Sequence, residues 1–430
     1  MAVITIDGLS VSSYGAGNGT VLDTISLIVP PAGSQDQVWV EILDKNLVSQ
    51  GVIQFATLTA TLYYNAVGSW SMVVPYSDWL WNFTQANPDF IVNVNWRGLF
   101  TFGGVCEQNG YQDSIPGSTG GAGSLSGPFI TLSGADYLGL IANRICYGAP
   151  GSAWGSQTAG ATDAVSAVST ETAIKHYINN NVGFFAIASR QLTMMDVATD
   201  QTRGPNVSYT VKYIAGGPSI NLMDVIRGII AQSNTQMGVR ITRNPSTHRL
   251  SFDCYVPRNL AGLAWFSRDL GNLTAIQFYI TDPTCTDALV WGSGSFVSRV
   301  ASGRTAWNVV EQFIDDSSEA DANNLITAAQ TALLTGAAGP NMSATVTDTP
   351  FLSFGRDYWL GDIVSLEVRP GAVYSDVVSS VTLTADPAQT PMYSVVPAIG
   401  NSSNATATDQ SAIGQLLNRI RTLERKLASK

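Results

Sequence analysis

Apolar and polar positions alternate with a period of two along much of the first hundred residues. Residues 38–43 (VWVEIL) alternate, and residues 55–64 (FATLTATLYY) are β-branched and aromatic, so both read as strands. Asn65-Ala66-Val67-Gly68 follows, with the Asn and Gly that supply positive φ in a tight connection, and leads into residues 69–75 (SWSMVVP). Residues 91–96, a turn at Arg97-Gly98 and residues 99–105 make a second pair. Meandering antiparallel strands of this length predict a small barrel or sandwich.

The period then changes. Tyr137, Leu138, Ile141 and Ile145 stand at helical spacing within residues 135–146. Ser169 or Thr170 can cap a second helix carrying Ile174, Tyr177 and Ile178. A third helix is predicted over 221–232, and strands over 238–242 and 249–256. Two Gly/Ser-rich segments, 114–128 and 148–169, read as exposed loops or ordered linkers. From Leu273 the pattern is again mostly β, with strands over 343–347, 363–368, 377–383 and 393–396. One amphipathic helix interrupts it over 318–335, where Ser318 and Asp321 resemble a capping box and Gly336 stands at the C-terminal cap. The predicted class is mainly β with α+β insertions: an N-terminal β-barrel domain (1–130), an α+β middle region (131–278), a second β-barrel domain with one helix (279–400), and a linker with a C-terminal coiled-coil helix (401–430).

Residues 401–408 (NSSNATAT) are polar. Beyond them Ile413, Leu416, Ile420, Leu423 and Leu427 recur at alternating intervals of three and four, the a and d positions of a heptad. Arg419 at g and Glu424 at the following e have the spacing of an inter-chain ion pair in a parallel coiled coil. Leu417, at another e position, widens the apolar face beyond a two-stranded seam. Ile at a with Leu at d favours a dimer. Residues 419–424 (RIRTLE), however, resemble the R-h-x-x-h-E motif of short trimeric coiled coils, and with Leu417 they predict a trimer. Ile413, Leu416, Leu417, Arg419, Ile420, Leu423, Glu424 and Leu427 are therefore the candidate oligomerisation residues. The helix is too short to hold an assembly alone, so the globular domains must also meet.

Composition narrows the function. The chain has 430 residues, 45% of them hydrophobic and only 13% charged, which excludes a mostly disordered protein. Its net charge is −10. Binding a nucleic-acid backbone takes clustered Lys and Arg, so no general phosphate-binding surface is expected. Residues 409–430 hold five basic side chains against two acidic, a balance of +3, which leaves −13 on residues 1–408. The first residues have no basic region or apolar run of signal length. No run of 18 apolar residues occurs, so neither a leader nor a membrane span is expected.

Candidate chemistry is sparse. Cys106, Cys146, Cys254 and Cys285 are far apart with no C-x-x-C pair, and read as small buried apolar residues rather than zinc ligands. His176 falls among polar helix positions and His248 in a hairpin turn, both as solvated side chains. Residues 121–127 (GAGSLSG) miss a dinucleotide fingerprint by one residue and precede a strand rather than a helix. Asp315, Asp316, Glu319 and Asp321 cluster at a helix start, which the helix dipole explains, and they lack the alternating ligand order of a calcium loop. No catalytic residue, metal site or cofactor is expected.

Several segments, in order, resemble the tail-hub or minor tail proteins of long non-contractile-tailed phages of actinobacteria, relatives of phage baseplate hub proteins. Residues 65–75 (NAVGSWSMVVP) resemble that family's G-S-[FW] hairpin. Ser133 to Leu138 through Arg144 resembles its G-x-D…L-x-x-R helix, and residues 266–273 (FSRDLGNL) its F-S-x-x-L-G-N-L segment. Trp307 with residues 311–316 (EQFIDD), and residues 357–364 (DYWLGDIV), resemble its two most specific signatures. The resemblance covers residues 50–400. It implies two β-barrel domains per chain alternating around a threefold axis, a pseudo-sixfold ring meeting the tail tube, and α+β domains closing the tip. The implied partners are other copies in a homotrimer, a distal tail or tube protein, the tape measure protein, and other minor tail or central fibre proteins. The implied location is the virion tail tip, assembled in the host cytoplasm. DNA would only pass through the lumen, without sequence-specific binding; an acidic lumen would repel it, although acidity also serves solubility. The alternative readings are a tail-associated cell-wall glycan hydrolase and a surface-glycan adhesin using some of the ten Trp and fifteen Tyr.

Overall fold

The computed structural model describes residues 5–6, 9–10, 37–114, 127–213, 220–233, 236–317, 319–346, 349 and 351–400. The chain divides into two compact units, 1–34 and 35–430. In the first, Thr5–Ile6 pairs antiparallel with Leu9–Ser10. All that follows concerns the second. The candidate coiled coil (401–430) lies outside the described residues, as does most of the first Gly/Ser-rich segment.

The alternating segments form one sheet of thirteen strands. Its path runs Leu273–Thr281, Gly339–Val346, Tyr393–Gly400, Ala372–Ala385, Thr57–Tyr63, Ala66–Pro75, Gly127–Ala135, Phe100–Ser114, Ile91–Trp96, Trp39–Leu43 and Ser49–Ile53. Ile363–Arg369 branches from Ala372–Ala385, with the short Trp265–Phe266 beside it. Every pairing on the main path is antiparallel. The N-terminal and C-terminal β regions join where Ser380 lies opposite Tyr63 and Ala385 opposite Leu58. Two barrels were expected, but the two regions share one sheet and no closed barrel is present among the described residues. The expected boundaries at residues 130 and 278 fall inside the strands Gly127–Ala135 and Leu273–Thr281.

Period two explains what each strand buries. In Thr57–Tyr63, Leu58, Ala60 and Leu62 point inward while the threonines stay more exposed. The two halves of the sheet close on each other through aromatics. The Phe100 ring lies 5.2 Å from Phe354 and 4.9 Å from Trp359, and Trp96 lies 5.9 Å from Tyr393. One continuous core results, holding Trp70, Trp96, Phe90 and Tyr358 fully buried. Asn65 (φ 53°), and Arg97 (φ 53°) with Gly98 (φ 68°), make the two tight turns that the sequence predicts.

Helix α1 (Asp78–Ala86) is not foreseen in the sequence reading. Ser77 caps it by accepting from the Leu80 amide at 3.3 Å. The helix expected over 135–146 shrinks to α2 (Gly139–Ala142), because the preceding strand runs through to Ala135. Helix α3 (Thr170–Asn181) begins where expected, with Ser169 accepting from the Thr172 amide. Helix α4 (Leu222–Ser233) also matches its prediction.

The middle region has its own core, built from α2, α3 and α4 against two small sheets. One pairs Thr162–Ser169 with Asn206–Lys212; the other sets Arg249–Tyr255 between Met195–Val197 and Gly238–Asn244. The Gly/Ser-rich segment 148–169, expected as loop or linker, thus ends in a strand. Its earlier part is clamped by Gln157, which bonds both the amide and carbonyl of Ala149.

A third sub-domain stands between Leu273–Thr281 and Gly339–Val346. Its central strand Asp287–Trp291 is flanked by Phe296–Val300, antiparallel, and Glu311–Asp315, parallel. Helix α5 (Ala322–Thr335) covers one face, meeting Ala288 and Val290 with Leu325 and Ala329. The capping-box residue Ser318 lies outside the described residues.

Gly361 illustrates how tightly the parts meet. Its φ is 85°, and a Cβ there would run into the Tyr64 ring and Pro257. Gly361→Ala should therefore cost about 1–3 kcal/mol of strain at minimum. Urea unfolding is expected to show it as a lowered midpoint.

Candidate functional site

Of the segments that carry the family resemblance, 65–75, 133–144, 266–273 and 357–364 hold polar groups that fix backbone, whereas Trp307 and 311–316 lie in the third sub-domain. In the 357–364 segment, Asp362 is 2% exposed and accepts four N–H bonds: from the Arg258 amide at 2.7 Å, Arg258 Nε at 3.1 Å, Arg258 Nη2 at 2.6 Å and the Trp359 amide at 2.9 Å. This carboxylate ties the chain leaving the middle region to the strand Ile363–Arg369. The Tyr255 hydroxyl donates to the Leu360 carbonyl at 3.1 Å beside it. Asp357 accepts from the Ser353 amide at 2.7 Å. In the 266–273 segment, Asn272 accepts from the Ser267 amide and donates to the Trp265 carbonyl, closing that loop. Asn65 donates to the Met237 carbonyl at 2.8 Å and accepts from the Val239 amide at 3.0 Å, stitching the hairpin turn to the middle region. Arg243 reaches across the same boundary to Glu41 at 2.8 Å.

Asp136, from the 133–144 segment, starts the turn into α2 and accepts from the Leu138 amide. Burial pushes its carboxyl up to about 6, against the opposing pull of the Gly68, Leu138 and Gly139 amides. It lines a cavity of about 100 Å³ together with Leu62, Phe102, Tyr137, Arg240 and Trp359. That is well below the roughly 300–1,000 Å³ of small-molecule sites.

The middle region also contains a buried ionic cluster. Glu171 on α3 accepts from Arg203 Nε and Nη2, each at 2.8 Å, and from Lys175 Nζ at 2.6 Å. Lys175 also reaches Asp253 at 3.3 Å and the Thr199 carbonyl at 2.9 Å, and Arg203 reaches Asp253 at 3.2 Å. Burial would raise the Glu171 pKa, but the hydrogen bonds from Arg203 and Lys175 hold it down at about 2. This is the profile of a permanently ionised structural clasp, not of an acid or base poised near neutral pH.

His176 is not the purely solvated side chain expected. Its Nε2 lies 2.7 Å from Asp163 Oδ1, and Asn180 donates to the same carboxylate. Asn180 also lies 3.0 Å from the same Nε2, so His176, Asp163 and Asn180 form one hydrogen-bonded cluster that joins α3 to the strand Thr162–Ser169. His248 sits exposed in the hairpin turn at φ 51°, as predicted. The four cysteines are buried and unpaired. Burial pushes Cys106 up to about 11, and Cys146 and Cys254 up to about 12, so they are poor nucleophiles. Among the described residues no group of three or more His, Cys, Asp or Glu is placed to hold a metal, and no helix is long and apolar enough to cross a membrane.

Sequence reasoning missed a surface. The face of the third sub-domain's sheet opposite α5 carries Leu289, Trp291, Phe296, Val300 and Phe313. All but Leu289 are exposed, and Trp307 in the adjoining loop is 98% exposed. The signature residues Trp307 and Phe313 thus belong to an open apolar surface, not to the core. The predicted oligomerisation residues, Ile413 through Leu427, lie outside the described residues.

Residues 39–401 match the Siphovirus ReqiPepy6 Gp37-like protein family. The chain belongs to that family. Among curated proteins none matches. Among solved structures, the 43 kDa tail protein of prophage MuSo2 from Shewanella oneidensis aligns over 86% of this chain and 97% of its own, at 11% identity and a TM-score of 0.51. A tail protein from Neisseria meningitidis aligns over 85% and 96%, at 11% identity and a TM-score of 0.49. The prophage tail protein gp18 from Listeria monocytogenes aligns over 87% and 98%, at 13% identity and 0.45. The chain shares its fold with the Shewanella protein. The phage tail resemblance of the sequence therefore holds at the level of family and fold.

Proposed function

We propose that this protein is a structural hub of a phage tail tip. Three copies form a ring in which each chain contributes its two β halves, giving a pseudo-sixfold surface that meets a distal tail or tube protein. The middle region lies below, toward a central fibre or receptor-binding element, and the ring takes part in attachment and DNA passage. The observation that carries this reading is the family match over residues 39–401, joined to a fold shared with a prophage tail protein along nearly its whole length. The polar groups already described support it: Asp362, Asn272 and Asn65 bind backbone, and Glu171 is held ionised by Arg203 and Lys175. The proposed role is structural rather than enzymatic. It works as a virion component, and its partners are other tail proteins rather than cofactors or membranes.

The C-terminal helix contributes a parallel trimer on the threefold axis, through Ile413, Leu416, Leu417, Ile420, Leu423 and Leu427 with the Arg419–Glu424 pair. Sedimentation equilibrium of the full chain tests both parts. The natural protein is expected to be trimeric at tens of micromolar. Ile420→Asn, a polar group at an a position, should weaken that trimer or change its stoichiometry. A natural chain that stays monomeric contradicts the proposal.

A further inference from the structure

A threefold ring needs two different complementary patches on every chain, because rotation by a third of a turn brings unlike surfaces together. We infer that the open sheet face of the third sub-domain is one of these patches, and that it receives the Phe184–Phe185 knob of the middle region from the neighbouring copy. The inference deepens the hub reading and rests on it.

The sheet face has the size of an interface. Trp291, Phe296, Trp307 and Phe313 are 45%, 64%, 98% and 66% exposed. Aromatic side chains offer about 150–250 Å² each. Weighted by exposure, these four present on the order of 600 Å², close to the ~800 Å² that one partner gives to a stable complex. The Trp291 and Phe296 rings stack 6.5 Å apart on this face, and Phe313 stands on the strand at the other side of Asp287–Trp291; exposed apolar surface of this extent marks an interaction site.

The knob is built to be presented. Phe184 is 82% exposed, and its ring meets Phe185 edge-on at 5.4 Å. The turn beneath is pinned: the Gln191 side chain donates to the Phe184 carbonyl at 3.0 Å and the Ala186 carbonyl at 2.8 Å, while the Phe185 amide donates to Asn179. An apolar pair held on a hydrogen-bonded turn pays little ordering entropy on docking.

Charge selects between ways of pairing. Glu311 lies on the sheet face beside Phe313, and Asp315 and Asp316 follow on the same strand end. Packing this face on its own copy about a twofold axis would bring those carboxylates together, which is unfavourable. Residues 182–192 (VGFFAIASRQL) contain no acidic side chain. The knob therefore fits the face without repulsion, and the contact is between unlike surfaces, as a ring requires.

The test uses full-length chains carrying single substitutions at exposed positions, Phe184→Cys and Phe313→Cys, with different tags. The native cysteines are buried and do not compete. The two chains are co-expressed, and the assembled protein is treated with a short bismaleimide. A covalent product joining one chain of each kind is expected, with little from either variant alone. Hydrogen exchange on the unsubstituted protein should show residues 296–300 and 311–315 protected in the trimer and exposed on dilution to monomer. A trimer that yields no mixed product, or yields mainly the Phe313→Cys homodimer, overturns this inference and leaves the hub reading standing. A chain that is monomeric throughout overturns both.

Discussion

Glu171→Ala is expected to destabilise the middle region by about 3–5 kcal/mol, because it leaves Lys175 and Arg203 without the carboxylate that compensates them. The Lys175 side chain is only 4% exposed, so water cannot replace the lost partner without opening α3 away from the strand Arg249–Tyr255. Asp253 alone would face both cations, at 3.3 and 3.2 Å. Denaturant unfolding should show a lowered midpoint, and hydrogen exchange should place the loss in α3 rather than in the large sheet. The same group sets an acid limit. Its folded pKa is about 2, below the ordinary 4.5, so its stabilisation is fully present above about pH 5 and fades as pH falls from 4.5 toward 2. The Glu171→Ala protein should lack that part of the acid response. An unchanged midpoint would show that the cluster contributes nothing net.

Asp362→Ala is expected to cost about 2–4 kcal/mol, through two orphaned backbone amides and the loss of charge-assisted bonds to Arg258. The guanidinium is half exposed and can turn to water, but the Arg258 and Trp359 amides cannot. The expected signature is local: faster exchange in residues 257–264 and 359–366, which join the middle region to the C-terminal half of the sheet. Asp362→Asn should recover part of the loss, since its side-chain oxygen still accepts.

What the sequence shows of this fold follows from the range of each signal. The strand Ile91–Trp96 and the turns at Asn65 and Arg97-Gly98 are local, and the alternation and turn residues place them correctly. Helix α1 is not legible because its core, Trp79 to Phe83, is aromatic and fits a strand equally well; only Ser77 hints at a cap. The pairing of residues 58–63 with 380–385 leaves no local trace, so one sheet reads as two separate domains. The Glu171–Lys175 spacing is visible on a helix, but Arg203 and Asp253 arrive from distant segments. Alternation also reports that one face of a strand is apolar without telling whether that face is covered. Residues 296–300 and 311–315 therefore look like ordinary strands, although Phe296 and Phe313 stand open.

The most direct test of the hub account is a cryo-EM map of the intact tail that carries this chain. The account predicts three copies on the threefold axis at the distal end of the tube, with the β halves forming a pseudo-sixfold ring around an open lumen and the 409–430 helices bundled along the axis. A map in which the chain lies outside the tail tip, or occurs there in a copy number that is not a multiple of three, would contradict it.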